Sequence, residues 1–131
     1  MSGQLRILVT GSRAWTDRVA VRDALLDALS TYTTIGAPVL VHGAARGADT
    51  IADEEWQAFA LPLAEPERYP ARGFPSPRHR NQHMVNLGAT VCLAFAKRWD
   101  SGTGMCARMA RRAGITVVDV GAPTAPEEVP W

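Results

Sequence analysis

The sequence predicts a single α/β domain in which helices cover both faces of a mainly parallel sheet of about five strands. Short apolar runs alternate along the 131 residues with longer segments whose apolar residues recur at helical spacing. The runs at 39–43 and 90–95 are almost continuously apolar, which is typical of strands buried on both faces. We therefore expect a Rossmann-like three-layer sandwich.

The first half of the chain predicts two strand-helix units. A strand at 5–10 is closed by Gly11 and Ser12, and Thr16 is positioned to cap a helix that extends to Tyr32. A second strand at 39–43 precedes a helix at 48–59, whose apolar residues again recur at helical spacing.

The second half continues the alternation after a proline-rich interruption. Residues 62–77 hold five of the nine prolines, so we expect a loop with one short strand, at 63–65 or at 67–69. A helix at 78–87 ends at Gly88, and a strand at 90–95 follows. A helix at 101–113 is closed by Gly114, and the last strand is at 115–120. We expect one domain over residues 1–120 and a proline-rich tail over 121–131.

Composition limits the class of protein. The chain is 47% apolar, enough for one core, and no run approaches the roughly 18 apolar residues of a membrane-spanning helix. The first residues lack the pattern of a secretory signal, so we expect a soluble cytoplasmic protein with no membrane partner. Cys92 and Cys106 are too few for a disulfide framework and wrongly spaced for zinc. We expect reduced thiols, no metal and no cofactor.

The charges are unevenly distributed although the formal net charge is only +1. Nine Lys and Arg residues lie between Arg68 and Arg112 against one acid, Asp100, which leaves five cations and twelve acids elsewhere. Arginine is well suited to phosphate and carboxylate groups, so an anionic ligand is plausible near the second half. For Arg108, Arg111 and Arg112 an ordinary solvated helix face is the alternative.

Three loops follow strands at the edge of the sheet where parallel α/β folds bind ligands. After the first strand, Gly11, Ser12 and Arg13 could approach and donate to a ligand, or simply form a tight turn. After the second strand, our candidate ligand-binding residues are His42, Gly43, Gly47 and Asp49. Asp49 could hold a ribose hydroxyl, or it could cap the following helix.

The third loop has two glycines and two hydroxyls at a helix start, at Ser101, Gly102, Thr103 and Gly104. This pattern predicts an anion cradle, and it lacks the Gly-Lys-Ser/Thr ending of a triphosphate-binding loop. A simple capped helix is the alternative. Arg80 and Asn81, on the helix before the fourth strand, could reach a bound phosphate from the side, or could lie on the surface.

Three function classes remain open from the residues. They are a module that senses or sequesters a nucleotide, an enzyme that cleaves a nucleotide's glycosidic bond, and a single-stranded nucleic-acid binder. The last is the weakest, because few aromatic residues accompany the cations. His42, His79 and His83 form no recognisable metal-ligand pattern.

Six motifs follow one another along the chain: Thr-Gly-Ser-Arg-Ala-Trp-Thr-Asp at 10–17, His-Gly-Ala-Ala-Arg-Gly-Ala-Asp at 42–49, Tyr-Pro-Ala at 69–71, Arg-Asn-Gln-His-Met at 80–84, Leu-Ala-Phe at 93–95 and Ser-Gly-Thr-Gly at 101–104. In this order they resemble the YspA-like branch of the SLOG superfamily, over residues 5–118. The resemblance implies a Rossmann-like fold and a nucleotide or phosphoribosyl-containing ligand. It also implies a homodimer, and it makes the LOG phosphoribohydrolases and the DNA-binding DprA proteins relatives.

Compared with the LOG enzymes, the chain keeps one catalytic position and changes two others. By resemblance, Arg80 takes the place of the catalytic arginine, whereas Asn81 replaces a lysine and Cys106 replaces a glutamate. A thiol does not replace the carboxylate that glycosidic hydrolysis needs near the ribose. We therefore expect a ligand-binding domain, with Arg80 and Asp49 as the catalytic candidates if the chain is an enzyme.

Overall fold

The computed structural model describes residues 3–96 and 101–121, with the backbone alone for residues 101–103. Strands and helices alternate along the chain. They are β1 (Arg6–Gly11), α1 (Arg18–Thr31), β2 (Val39–His42), α2 (Ala48–Ala58), β3 (Glu67–Arg68), α3 (Pro77–Asn86), β4 (Val91–Ala96), α4 (Ser101–Arg112) and β5 (Thr116–Gly121).

The five strands form one sheet in the order β3-β2-β1-β4-β5, and every neighbouring pair is parallel. The central strand is β1, where Leu8 lies between Val41 of β2 and Cys92 of β4. The chain builds outward from β1 to β3 and then returns to the other side of β1. This reversal opens a crevice at the carboxyl ends of β1 and β4, the usual ligand position in such sheets.

Helices cover both faces of the sheet, so the predicted three-layer sandwich is confirmed. Side chains along a strand alternate between faces, and in β1 Ile7 belongs to one core cluster and Leu8 to the other. The first cluster receives Leu25 from α1 and Trp56 from α2. The second cluster includes Met84 of α3, together with Cys106, Met109 and Ala110 of α4.

The predicted cap of α1 is wrong by one residue. Asp17, not Thr16, caps the helix, and its side chain accepts a 3.0 Å hydrogen bond from the Ala20 N–H. The reason lies in Trp15, which is buried and donates its indole N–H to the Asp17 carbonyl oxygen at 2.9 Å. Burial of Trp15 thus fixes the turn so that the helix begins at Arg18.

Other boundaries differ only slightly from the prediction. β3 forms at the second of the two predicted places, and α3 begins one residue early because Ser76 caps it and Pro77 fits its first position. β5 continues to Gly121, and the rest of the predicted tail, 122–131, lies outside the described residues. No helix in the described ranges is long and apolar enough to cross a membrane.

Candidate functional site

A cleft of about 420 Å³ opens at the carboxyl end of β1, within the range of about 300–1,000 Å³ that is usual for small-molecule sites. Four segments border it: the end of β1 with its loop, the start of α2, one face of α3, and α4. The lining residues are Val9, Thr10, Gly11, Ser12, Arg13, Ala14, Ala45, Asp49, Pro77, Arg80, Asn81, Met84 and Met105.

The Arg80 side chain is held in place by backbone carbonyl groups. Its Nη1 donates to the carbonyl oxygens of Gly43 at 2.7 Å and Tyr69 at 3.2 Å, and its Nε donates to the Asn81 side chain at 2.8 Å. Within residues 3–96 and 101–121, Nη2 has no hydrogen-bond partner, and no carboxylate lies within ion-pair distance of this guanidinium. Arg80 therefore retains a positive charge and an N–H group available to a ligand.

Gly43 makes the position of Arg80 possible. A Cβ at residue 43 would overlap Nη1 of Arg80 and would lie 2.7 Å from Cζ. Gly43 therefore leaves no open space for a ligand, because the space beside its Cα is filled by the Arg80 guanidinium.

Asp49 lies in the first turn of α2 and is 5% exposed. Its Oδ2 accepts hydrogen bonds from the backbone N–H groups of Gly43 at 3.1 Å and Ala45 at 3.3 Å. Its Oδ1 is buried without a hydrogen-bond partner in the described part of the chain. Gly47, not Asp49, occupies the N-cap position of α2, so the capping alternative is wrong.

The burial of Asp49 has an electrostatic consequence. Burial raises the pKa of its carboxyl above the usual range, although the two loop N–H groups and Arg80 lower it in part. The cleft thus combines arginine side chains with a buried acid whose ionised form is disfavoured.

His42 supports the loop from behind. Its Nδ1 accepts a 2.9 Å hydrogen bond from the N–H of Ala44, a residue with a φ of 57°, and its Nε2 lies 2.6 Å from an Asp53 oxygen. Since Nδ1 is an acceptor, Nε2 carries the proton and donates to Asp53. Both ring nitrogens are therefore occupied, and the imidazole, 2% exposed, does not border the cleft.

Asp53 completes this support and differs sharply from Asp49. Burial raises its pKa, but hydrogen bonds from Arg68, Gln57 and His42 outweigh burial and hold the pKa well below the usual range. Arg68 donates from Nε at 2.7 Å and from Nη2 at 3.0 Å. The Asp53 carboxylate is thus satisfied internally and serves the architecture of the loop.

The loop after β1 packs directly against the start of α2. Gly47, with a φ of 82°, lies so close to Ser12 that a Cβ would overlap the Ser12 carbonyl oxygen. That same oxygen accepts a 3.2 Å hydrogen bond from the Ala48 N–H, while the Ser12 N–H donates to the Phe95 carbonyl oxygen at 2.8 Å. A Cβ at Gly11 would overlap Ala48. These contacts join β1, α2 and β4 beneath the cleft.

Cys106 lies behind the cleft wall and not in it. Its side chain is fully buried and hydrogen-bonds Thr10, and burial raises its pKa to about 11. The residue is therefore a neutral thiol at pH 7. It cannot provide the carboxylate that the resemblance to the LOG enzymes leads one to look for at this position.

The structure brings together six of the thirteen predicted site residues: Gly11, Ser12, Arg13, Asp49, Arg80 and Asn81 all border the cleft. His42, Gly43 and Gly47 lie beneath it. The segment from Ser101 to Thr103 begins α4 as predicted, but its side chains are outside the description, and Gly104 is buried in the same helix. Among the described residues, no group of three His, Cys, Asp or Glu could hold a metal ion.

The sequence reasoning missed several lining residues, and α3 carried the clearest signal for them. Pro77, Arg80, Asn81 and Met84 are spaced by three or four positions and share one helix face, which borders the cleft. Arg80 and Asn81 were found from their polar chemistry and from the motif at 80–84, which also contains Met84. Met105 gave no signal, because its position depends on how α4 packs beside β1.

Two comparisons relate the chain to known proteins. A family model described as the YspA, cpYpsA-related SLOG family matches residues 5–58, the segment that carries β1 to α2 and Asp49. The Gene 61 protein of Mycobacterium phage D29 is 43% identical over 125 residues, an alignment that covers 88% of this chain and 96% of that protein.

Proposed function

The chain belongs to the YspA, cpYpsA-related SLOG family, and we propose that its cleft binds a nucleotide or a nucleotide-derived ligand through its phosphate. Family membership is consistent with a nucleotide-related binding or modifying role. The proposal assigns a sensing or sequestering role to this domain.

The observation that supports it most is the state of Arg80. Its Nη1 and Nε are bound to backbone and amide oxygens, so the guanidinium is already oriented, and Nη2 has no partner in the described residues. A pre-oriented arginine without a carboxylate partner suits a phosphate oxygen, because little side-chain freedom is lost on binding.

Neighbouring groups extend this argument. Asn81 borders the same cleft and is 6% exposed. Its Oδ1 accepts from Arg80 and its Nδ2 has no partner among the described residues, which leaves a second donor for a ligand. Arg13 borders the same cleft and forms no ion pair within the described part of the chain. Together these groups favour an anion.

Titration calorimetry of the full chain tests the proposal. The probes are ribose 5-phosphate, the four ribonucleoside 5′-monophosphates and the corresponding nucleosides. We expect at least one phosphate to bind and its nucleoside to bind more weakly. Arg80→Ala should weaken binding of that phosphate by about 10–150-fold, the effect of losing a hydrogen bond between charged groups.

Arg78→Ala is the matched control, since Arg78 lies on the same helix, is exposed and does not border the cleft. It removes the same charge and should leave the affinity within about threefold, the change expected from a distant exposed charge. Equal losses in the two variants, or no binding by any phosphate probe, would contradict the proposal.

A further inference from the structure

We propose that Asp49 recognises a sugar hydroxyl of the bound nucleotide, so that the cleft selects ribosyl over deoxyribosyl phosphates. The inference rests on the proposed function and adds the group that determines its specificity. The supporting observation is that Oδ1 of Asp49 has no hydrogen-bond partner among the described residues, although this side chain borders the cleft and is 95% buried.

The geometry separates the two oxygens of this carboxyl. Oδ2 is committed to the N–H groups of Gly43 and Ala45, which fix the orientation of the side chain. Oδ1 is therefore the oxygen left for a ligand, and a buried polar atom without a partner is costly, so a ligand that satisfies it gains affinity.

A hydroxyl matches this oxygen better than other nucleotide groups. Burial favours the protonated form of Asp49, whereas the two loop N–H groups and Arg80 favour the ionised form. A hydroxyl can donate to an ionised Oδ1 and can accept from a protonated one, so it satisfies the carboxyl in either state. A phosphate oxygen would be repelled by the ionised form.

A sugar can reach Oδ1 of Asp49 only if a side chain of the cleft moves. Oδ1 has almost no exposed surface, so the ligand must displace a neighbouring side chain at the base of the cleft. Met84 and Met105 border the cleft, and methionine is unbranched and adapts its shape at low cost. Arg80, on the same cleft, would hold the phosphate of the same ligand.

The test compares ligands that differ by one hydroxyl. Ribonucleoside 5′-monophosphates and their 2′-deoxy and 3′-deoxy counterparts are titrated into the full chain and into the Asp49→Asn variant. In the unmodified protein we expect one of the two deoxy compounds to bind about 10–100-fold more weakly than the ribonucleotide, because without the hydroxyl the buried Oδ1 stays unpartnered.

Asp49→Asn retains an oxygen for the two loop N–H groups and replaces Oδ1 by an amide NH₂ group, so the loop is preserved. We expect it to reduce the ratio of ribo to deoxy affinity to about 2–5-fold, as for a neutral hydrogen bond. Asp119→Asn is the control, because Asp119 lies on β5, pairs with Arg111 of α4 and does not border the cleft. It should leave the ratio unchanged.

The outcomes distinguish the inference from the proposed function. If ribonucleotides and both deoxy counterparts bind equally, or if Asp49→Asn leaves the ratio intact, the inference is overturned while nucleotide binding stands. If no phosphate binds at all, the proposed function fails, and this inference fails with it.

Discussion

Arg80 and Gly43 are joined by a 2.7 Å hydrogen bond from the guanidinium Nη1 to the Gly43 carbonyl oxygen, across 37 positions of sequence. The same guanidinium fills the space where a side chain at residue 43 would begin. The loop after β2 and the helix α3 therefore constrain each other, and the cleft depends on both.

The first prediction concerns Gly43→Ala. The added Cβ overlaps Arg80 Nη1, so Arg80 must leave its place and the phosphate probe that binds best should lose at least tenfold in affinity. Titration calorimetry measures the loss, and thermal unfolding verifies that the variant is folded. Gly73→Ala is the control, because a Cβ at Gly73 meets nothing within 4 Å. Unchanged affinity of a folded Gly43→Ala variant would show that the placement of Arg80 does not matter.

The second prediction concerns the pH dependence of stability through Asp49. Its pKa is raised in the folded state, so above the unfolded value of about 3.9 the unfolded chain releases this proton first. Rising pH then favours unfolding until the folded carboxyl also ionises. Asp49→Asn lacks this carboxyl, so its stability advantage over the unmodified protein should grow with pH. Urea titrations measure the unfolding free energy of both proteins, and the difference should increase by at most about 1.4 kcal/mol per pH unit.

Asp53 provides the opposite case on the same helix. Its pKa is lowered in the folded state, chiefly by Arg68 against the effect of burial, so its contribution is present above the unfolded pKa and is lost as the pH falls through the folded pKa. Asp53→Asn should therefore be increasingly destabilised, relative to the unmodified protein, as the pH rises towards about 4, and the difference should level off above about pH 5. If the stability difference between variant and unmodified protein changed with pH in the same direction for Asp49→Asn and Asp53→Asn, the environments assigned to the two carboxyl groups would be wrong.

The third prediction concerns the two thiols. Cys92 and Cys106 are free and buried, and burial raises the pKa of Cys106 to about 11 and that of Cys92 well above its ordinary value. Since the thiolate is the reactive form, neither should react measurably with an aromatic disulfide reagent at pH 7.5 while the chain is folded. Denaturation should expose both. Rapid modification of one thiol in the native protein would show that β4, for Cys92, or α4, for Cys106, opens locally.

The fourth prediction concerns catalysis. Because residue 106 is a neutral buried thiol and Oδ2 of Asp49 is bound by the loop, we expect no release of free base from ribonucleoside monophosphates above the uncatalysed level. Chromatography of long incubations measures it. Turnover that Asp49→Asn abolishes, and that Cys106→Ala leaves unchanged, would instead identify Asp49 as a catalytic carboxylate.

A Cys106→Glu variant tests whether a carboxylate at residue 106 can take part in hydrolysis. The position is fully buried, so a carboxylate there would be desolvated beside Thr10 and close to Asp49. We expect this variant to unfold at a lower temperature than the unmodified protein and to gain no hydrolysis. A stable Cys106→Glu variant that releases base would mean that α4 can turn this residue into the cleft.

The order of strands and helices followed from the sequence alone, because apolar runs and helical periodicity are local patterns. The runs that became β2 and β4 were apolar enough to indicate burial on both faces, and hence a parallel sheet under two helical layers. One-residue differences such as Asp17 in place of Thr16 arose where a buried side chain, Trp15, fixed the turn.

The tertiary structure decided what the site residues do. Gly43 and Gly47 could not be distinguished from the sequence. In the structure Gly43 makes room for the Arg80 guanidinium, whereas Gly47 makes room for the backbone of Ser12. Asp49 and Asp53 are four positions apart on α2, yet Asp49 keeps an unpartnered oxygen while Asp53 is held by Arg68 and His42. These differences depend on contacts between residues distant in sequence, which the spacing of residue types along the chain does not contain.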